Sequence, residues 1–163
     1  MENKICCFLG HRKIEITFAL KEKLKNVIEN LIVEQGVRTF LFGSKSLFDD
    51  LCQEMVSALK NKYPYIRRIY VRCLYPVIEQ DYALYLSKYF EDTYFPQKLE
   101  RAGRAAYLER NRELIEASHF CVFYYNPDYQ PYNRKSGTKA AFEYAQKCKK
   151  NNKDLKIINV YEC

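Results

Sequence analysis

A chain of 163 residues, 48% of them apolar, is long enough to bury a core of its own and carries no linker that would divide it. Its formal charge of +7 favours an anionic partner, yet lysine and arginine are spread along the sequence, dense only at Arg67-Arg68 and Lys147-Lys149-Lys150. No apolar run approaches membrane-spanning length, and the N-terminus enters strand-like sequence without a signal-peptide pattern, so a soluble cytoplasmic protein with no membrane partner is expected.

Lys4 to Leu9 is a short apolar run closed by Gly10 and reads as a buried first strand. From Ile16 the apolar positions Ile16, Leu20, Leu24, Val27, Ile28 and Leu31 recur at helical spacing among lysines and glutamates. They predict an amphipathic helix that ends at Gly36. Val37 to Phe42 is the second strand, with Gly43-Ser44 at its end. Ser46 is placed to cap the next helix, whose buried face is expected to use Leu47, Leu51, Met55 and Leu59. Ile66 to Cys73 reads as the third strand.

Between Leu74 and Gln97 the rhythm breaks. Tyr82, Tyr85 and Tyr89 beside Leu86 predict a short helix with an aromatic face, and Asp92 to Gln97 reads as a loop. A long helix from Ala102 to Ala117 follows, then a fourth strand from Cys121 to Asn126 and a turn-forming basic loop. A helix from Thr138 to Lys149 and a final strand from Leu155 to Tyr161 complete the chain. Strands alternating with helices imply crossover units. The expected fold class is α/β: a single Rossmann-like three-layer sandwich over residues 1–163, its mainly parallel sheet holding about five strands in the order 3-2-1-4-5.

Seven cysteines, odd in number and without CxxC spacing, point to a reducing compartment. Cys6, Cys7 and Cys121 fall in strand-like runs and act there as small hydrophobes. His11 and His119 are the only imidazoles, and neither has a helical His or Cys partner, so no metal site and no cofactor are expected.

In a doubly wound sheet of that order, ligands bind in the crevice outside the strand carboxyl ends, where the winding reverses between the first and fourth strands. Gly10-His11-Arg12 and Ser136-Gly137-Thr138 are therefore expected on opposite walls of one cleft, with Gly43-Ser44 at its flank and Asn126 and Lys139 beside them. The helix that opens at Ser136-Gly137-Thr138 presents unpaired N–H groups and a positive dipole end, which suits a phosphate. On the long helix, Arg110 offers a bidentate fork to a phosphate or carboxylate, and Asn111 can donate and accept toward a sugar or base. Read plainly, the same stretch is a solvated face on which Glu109, Arg112 and Glu113 pair. The tyrosines at 82, 85 and 89 either stack a base or pack a small helix against the sheet edge or a subunit partner.

Gly10-His11-Arg12 after the first strand, Arg110-Asn111 on the penultimate helix and Ser136-Gly137-Thr138 opening the next helix together resemble the SLOG superfamily. This is the Rossmann-like group containing the DprA/Smf and Lonely Guy proteins, and the likeness is greatest to its YpsA-type branch. The resemblance implies a nucleotide-like ligand. Ser136, Gly137 and Thr138 would be a reduced form of the phosphate-cradling Gly-Gly-x-Gly-Thr loop, and Arg110 the helical arginine that contacts the ligand, with Asn111 where the Lonely Guy pattern has lysine. Lonely Guy enzymes carry a catalytic glutamate in the first turn after the threonine. This chain has Lys139-Ala140-Ala141 there, and Glu143 comes five residues after Thr138.

The expected function is binding of a nucleotide or nucleotide-derived phosphorylated small molecule by a homo-oligomer, as a sensor or sequestering module. The alternative is an N-glycoside hydrolase (phosphoribohydrolase) that releases the base from a nucleoside 5′-monophosphate, with Glu143 and Arg110 as its catalytic pair. Single-stranded nucleic-acid binding is the third reading, supported by the net charge and the tyrosines.

Overall fold

The computed structural model describes residues 3–43, 45–129 and 136–162; Ser44 and the basic Asn133-Arg134-Lys135 stretch lie outside the described residues. The strands are β1 (Lys4–Gly10), β2 (Val37–Phe42), β3 (Arg67–Val71), β4 (Asp92–Tyr94), β5 (Phe120–Tyr124) and β6 (Lys156–Asn159). The helices are α1 (Phe18–Val33), α2 (Leu47–Lys62), α3 (Gln80–Ser87), α4 (Ala106–Glu116) and α5 (Gly137–Asn151). All six strands pair in parallel, in the order β4-β3-β2-β1-β5-β6. The five strands expected from the sequence hold their expected order, and β4 is added at the edge.

Alternation along the strands divides the core between two faces. Phe8, Phe40 and Phe42 pack with the buried sides of α1 and α2, namely Leu24, Ile28, Phe48 and Val56. On the opposite face Leu9, Leu41, Val71 and Phe123 meet Leu114 and Ile115 of α4 and Ala141 and Ala145 of α5. The result is a Rossmann-like sandwich, with winding that reverses between β1 and β5.

Four local expectations need correction. Asp92–Tyr94 is a strand rather than a loop, held to β3 by Arg72 N–H donating to Tyr94 O at 2.8 Å and by Thr93 Oγ1 donating to Tyr70 O at 2.7 Å. Ahead of it, Glu91 accepts from Arg68 through Nε at 3.1 Å and Nη2 at 2.6 Å, a charged fork that pins the strand's start. The long helix begins at Ala106 rather than Ala102, because Gly103 sits at φ +55° and a 3₁₀ turn over Gly103–Ala105 precedes it. The buried stripe of α2 is Phe48, Leu51, Cys52, Val56 and Leu59, while Leu47 is 42% exposed. Helix α1 starts at Phe18, capped by Thr17, so Ile16 lies outside it and is exposed.

Helix α3 carries an aromatic series from the preceding loop: Tyr75 to Tyr82, Tyr82 to Tyr85 and Tyr85 to Tyr89, with ring centroids 5.5–6.3 Å apart. No helix among the described residues is long and apolar enough to cross a membrane.

Helix α2 is well capped. Ser46 Oγ accepts the Asp49 N–H at 2.9 Å, and Asp49 and Asp50 stand in the first turn, against the positive dipole end. Ser46→Ala should therefore cost about 1 kcal/mol. Thermal denaturation is expected to show this as a fall in Tm of roughly 2–4 °C.

Candidate functional site

The strand carboxyl ends carry two groups of side chains, one at the crest of β1 and β5 and one at the crest of β2 and β3. At the first, Gly10 ends β1 directly beneath Phe48, and a Cβ built on it would lie 2.3 Å from Phe48 Cδ2. The chain then turns. The Arg12 carbonyl accepts the Leu47 N–H at 2.9 Å, which ties this turn to the start of α2, while the Arg12 side chain is exposed.

His11 drops into the crest and is 2% exposed. Its Nε2 accepts the backbone N–H of Asn126 at 2.9 Å, so in the neutral ring the proton sits on Nδ1. That Nδ1–H is buried and meets no hydrogen-bond partner among the described residues. Tyr129 stacks on the imidazole with centroids 4.2 Å apart, and Tyr124 and Tyr125 flank it at 6.1 and 6.0 Å. Asn126 shapes the turn after β5 by accepting the Asp128 N–H on its side chain at 2.9 Å.

Burial pushes the His11 imidazole below its ordinary value of 6.5. The folded chain thus binds fewer protons than the unfolded chain below pH 6.5, and stability rises with pH in that range. The contribution is complete above pH 6.5 and is lost as pH falls toward the lowered folded value. Urea midpoints measured from pH 8 to pH 5 should decline in this window for the wild type and decline less for His11→Gln. Glu91 and Glu116, whose ion pairs with Arg68 and Lys98 outweigh their partial burial and hold them below 4.5, act only at lower pH.

The second group centres on Arg110, which the plain reading of its helix placed on a solvated face. It is 4% exposed, whereas its neighbour Arg112 pairs with Glu109 at 3.3 Å. Arg110 Nη1 donates to the Gly43 carbonyl and to Cys73 Sγ, the latter at 3.4 Å, and Nε reaches Asn111 Oδ1 at 3.3 Å. Gly43 makes room for this: a Cβ there would lie 2.7 Å from Arg110 Cδ and 3.1 Å from the Val71 carbonyl. Among the described residues no carboxylate lies within ion-pair distance of the Arg110 guanidinium. A buried cation without a counter-ion carries a desolvation cost that an anion docked beside it would offset.

Arg72, a buried residue that the sequence reading did not single out, sits at the same crest. It donates to the carbonyls of Tyr75 and Pro76 and to Thr93 Oγ1, and so secures the loop that leaves β3. Its position at the end of a strand-like run was the available signal.

Helix α5 starts at Gly137, with Ser136 Oγ accepting the Lys139 N–H at 3.0 Å. No acidic residue occupies its first turn, and among the described residues nothing lies within 4 Å of a Cβ built on Gly137. The helix packs against α4 and β1. Thr138 and Lys139 are half-buried in this turn. Glu143 is exposed, on the face opposite the buried Ala141 and Ala145, and stands about two turns along the helix from Ser136.

On the α1 side of the sheet, a cleft of about 460 Å³ opens between the turn after β1 and the ends of β5 and β6. His11, Lys13, Glu15, Tyr124, Tyr129 and Tyr161 contribute to its walls. No group of three or more His, Cys, Asp or Glu residues among the described residues is arranged to hold a metal ion. Neither a protein-family model nor a curated protein matches this chain.

Proposed function

We propose that this protein binds a nucleotide or nucleotide-derived phosphorylated small molecule at the carboxyl ends of its parallel strands, as a sensor or sequestering module. The observation that carries this reading is Arg110: a guanidinium 4% exposed, anchored on the Gly43 carbonyl and without a carboxylate partner among the described residues. An anion at this crest would receive charge-assisted hydrogen bonds from the guanidinium. The start of α5, with its N–H groups, its dipole and no acidic residue in its first turn, adds a second element suited to phosphate at the same end of the sheet. The SLOG-like pattern of Gly10-His11-Arg12, Arg110-Asn111 and Ser136-Gly137-Thr138 supports the same ligand class. Glu143, on the solvent face of α5, gives base hydrolysis no comparable support. The exposed Val77, Leu84 and Tyr85 around α3 are the face on which we place a second copy in the proposed homo-oligomer.

Thermal-shift and calorimetric titrations with mononucleotides, dinucleotides, NAD-related compounds and inorganic phosphate test the reading. A phosphorylated ligand at about 100 times its Kd should stabilise the protein by about 2.7 kcal/mol, and Arg110→Met should abolish that gain. No stabilisation by any phosphorylated compound, or a gain that survives in Arg110→Met, would overturn it.

A further inference from the structure

We propose that the cleft on the α1 side is a separate site for an uncharged, planar amino-heterocycle, the chemistry shared by a free nucleobase and its nucleoside. This inference does not rest on the Arg110 site. Three features of the cleft carry it.

The first is a hydrogen-bond donor without an acceptor. His11 is 2% exposed and uses Nε2 to receive the Asn126 N–H, which leaves Nδ1–H without a partner among the described residues. A buried donor in that state is costly, and a ring nitrogen or carbonyl oxygen supplied from the cleft would satisfy it. The second feature is the aromatic wall. Tyr124 and Tyr161 meet edge to face with centroids 5.5 Å apart, and Tyr129 lies over the His11 ring at 4.2 Å. A flat ligand entering beside Tyr129 exchanges one aromatic contact for another and brings its acceptor to Nδ1–H.

The third feature is charge. Lys13, Glu15 and Glu162 all line the cleft, and Glu162 is already bridged to Lys23, so this cleft has no excess of positive charge to hold a phosphate. Its carboxylates can accept from an exocyclic amino group. A volume of about 460 Å³ lies in the range of small-molecule sites and accommodates a base with or without its sugar.

The two histidines make a direct test available. His119 Nδ1 accepts the Ile5 N–H at 3.0 Å, so its proton sits on Nε2, and the two rings are opposite tautomers that nitrogen-15 NMR separates. Protein labelled at histidine nitrogen is titrated to millimolar concentration with adenine, adenosine, cytosine, cytidine and uridine. Binding of the amino-bearing compounds is expected to move the His11 Nδ1–H resonance and leave His119 in place. A preference for the base or for the nucleoside identifies which of the two the cleft takes.

Tyr129→Leu, at a half-buried position outside the core clusters, should weaken binding by about 5- to 100-fold, the range of one aromatic–base stack. Arg110→Met should bind as the wild type does. The proposal is overturned if no compound moves His11, as when a buried water satisfies Nδ1–H. It is equally overturned if uridine binds as well as cytidine, if Tyr129→Leu retains full affinity, or if Arg110→Met loses it.

Discussion

Gly10→Ala is expected to destabilise the protein by about 3 kcal/mol, the upper end of ordinary overpacking. The corresponding fall in Tm is roughly 6–12 °C for a chain of this size. The added methyl would lie 2.3 Å from Phe48 Cδ2, 2.5 Å from its Cγ and 2.6 Å from its Cβ. A clash with the ring alone could be relieved by rotating the side chain. The clash with Cβ cannot, because that atom is fixed to the backbone of α2, so the helix itself has to move. It is held by Phe48, which is fully buried, by the Ser46 cap and by the Leu47–Arg12 hydrogen bond. Nor can β1 yield, since Gly10 is in register with Tyr124 of β5.

Urea denaturation checks the value, with an unchanged slope showing that the denatured state is the same. Phe48→Ala should cost less in the Gly10→Ala background than in the wild type, because it removes Cγ and the ring but not Cβ; the pair would then be measurably non-additive. A Gly10→Ala protein within about 1 kcal/mol of wild type would contradict the packing described for this turn.

Arg110→Met is expected to separate binding from folding. Loss of the guanidinium should weaken binding of a phosphorylated ligand by at least about 100-fold, in line with the cost of removing one partner from a buried charged pair. Stability of the ligand-free protein should change by no more than about 1 kcal/mol, because two effects oppose each other. Methionine leaves the Gly43 carbonyl without its donor, which destabilises. It also removes a buried charge that has no carboxylate partner among the described residues, which stabilises. Calorimetry and thermal denaturation on the same preparations distinguish the outcomes. A large stability loss with intact binding would make Arg110 a structural clamp, as Arg72 is.

Much of this architecture can be read from the chain because a parallel sheet covered on both faces imposes continuous apolar runs. Helices packed on one side impose a 3.6-residue period. β1, β2 and β5 and the helices α1 and α5 announce themselves in this way. β4 does not: three residues are too few to show a period, and what holds it is the Arg68–Glu91 fork and Arg72, contacts made across the fold. At the start of α2 the expected buried residue was Leu47 where the structure buries Phe48, for a related reason, while Leu51 and Leu59 are buried as expected. Leu47 and Phe48 are equally apolar, and the choice between them is made by the space that Gly10 leaves, which is a property of another element.

The candidate site was legible as residue types and not as environments. Arg110 stands in a run of polar residues, Glu109 to Glu113, where nothing in the pattern distinguishes the one that turns inward. Its burial depends on Gly43, 67 positions away. Tyr129 was missed because its significance lies in stacking on His11, and only the closed β1–β5 crest brings those two together.

The turn after β1 has a consequence for how relatives of this chain would be compared. Three successive positions there meet three different demands: Gly10 must lack a side chain, His11 must stay neutral, and Arg12 must offer its carbonyl to Leu47. At least the first and last are demands of folding. Selection would preserve much of this triplet in a descendant that had lost its ligand altogether, so its persistence across a lineage would be poor evidence of shared activity. Arg110, where substitution is expected to change stability little, and Tyr129, outside the core clusters, are the positions at which divergence would record a change in the proposed binding.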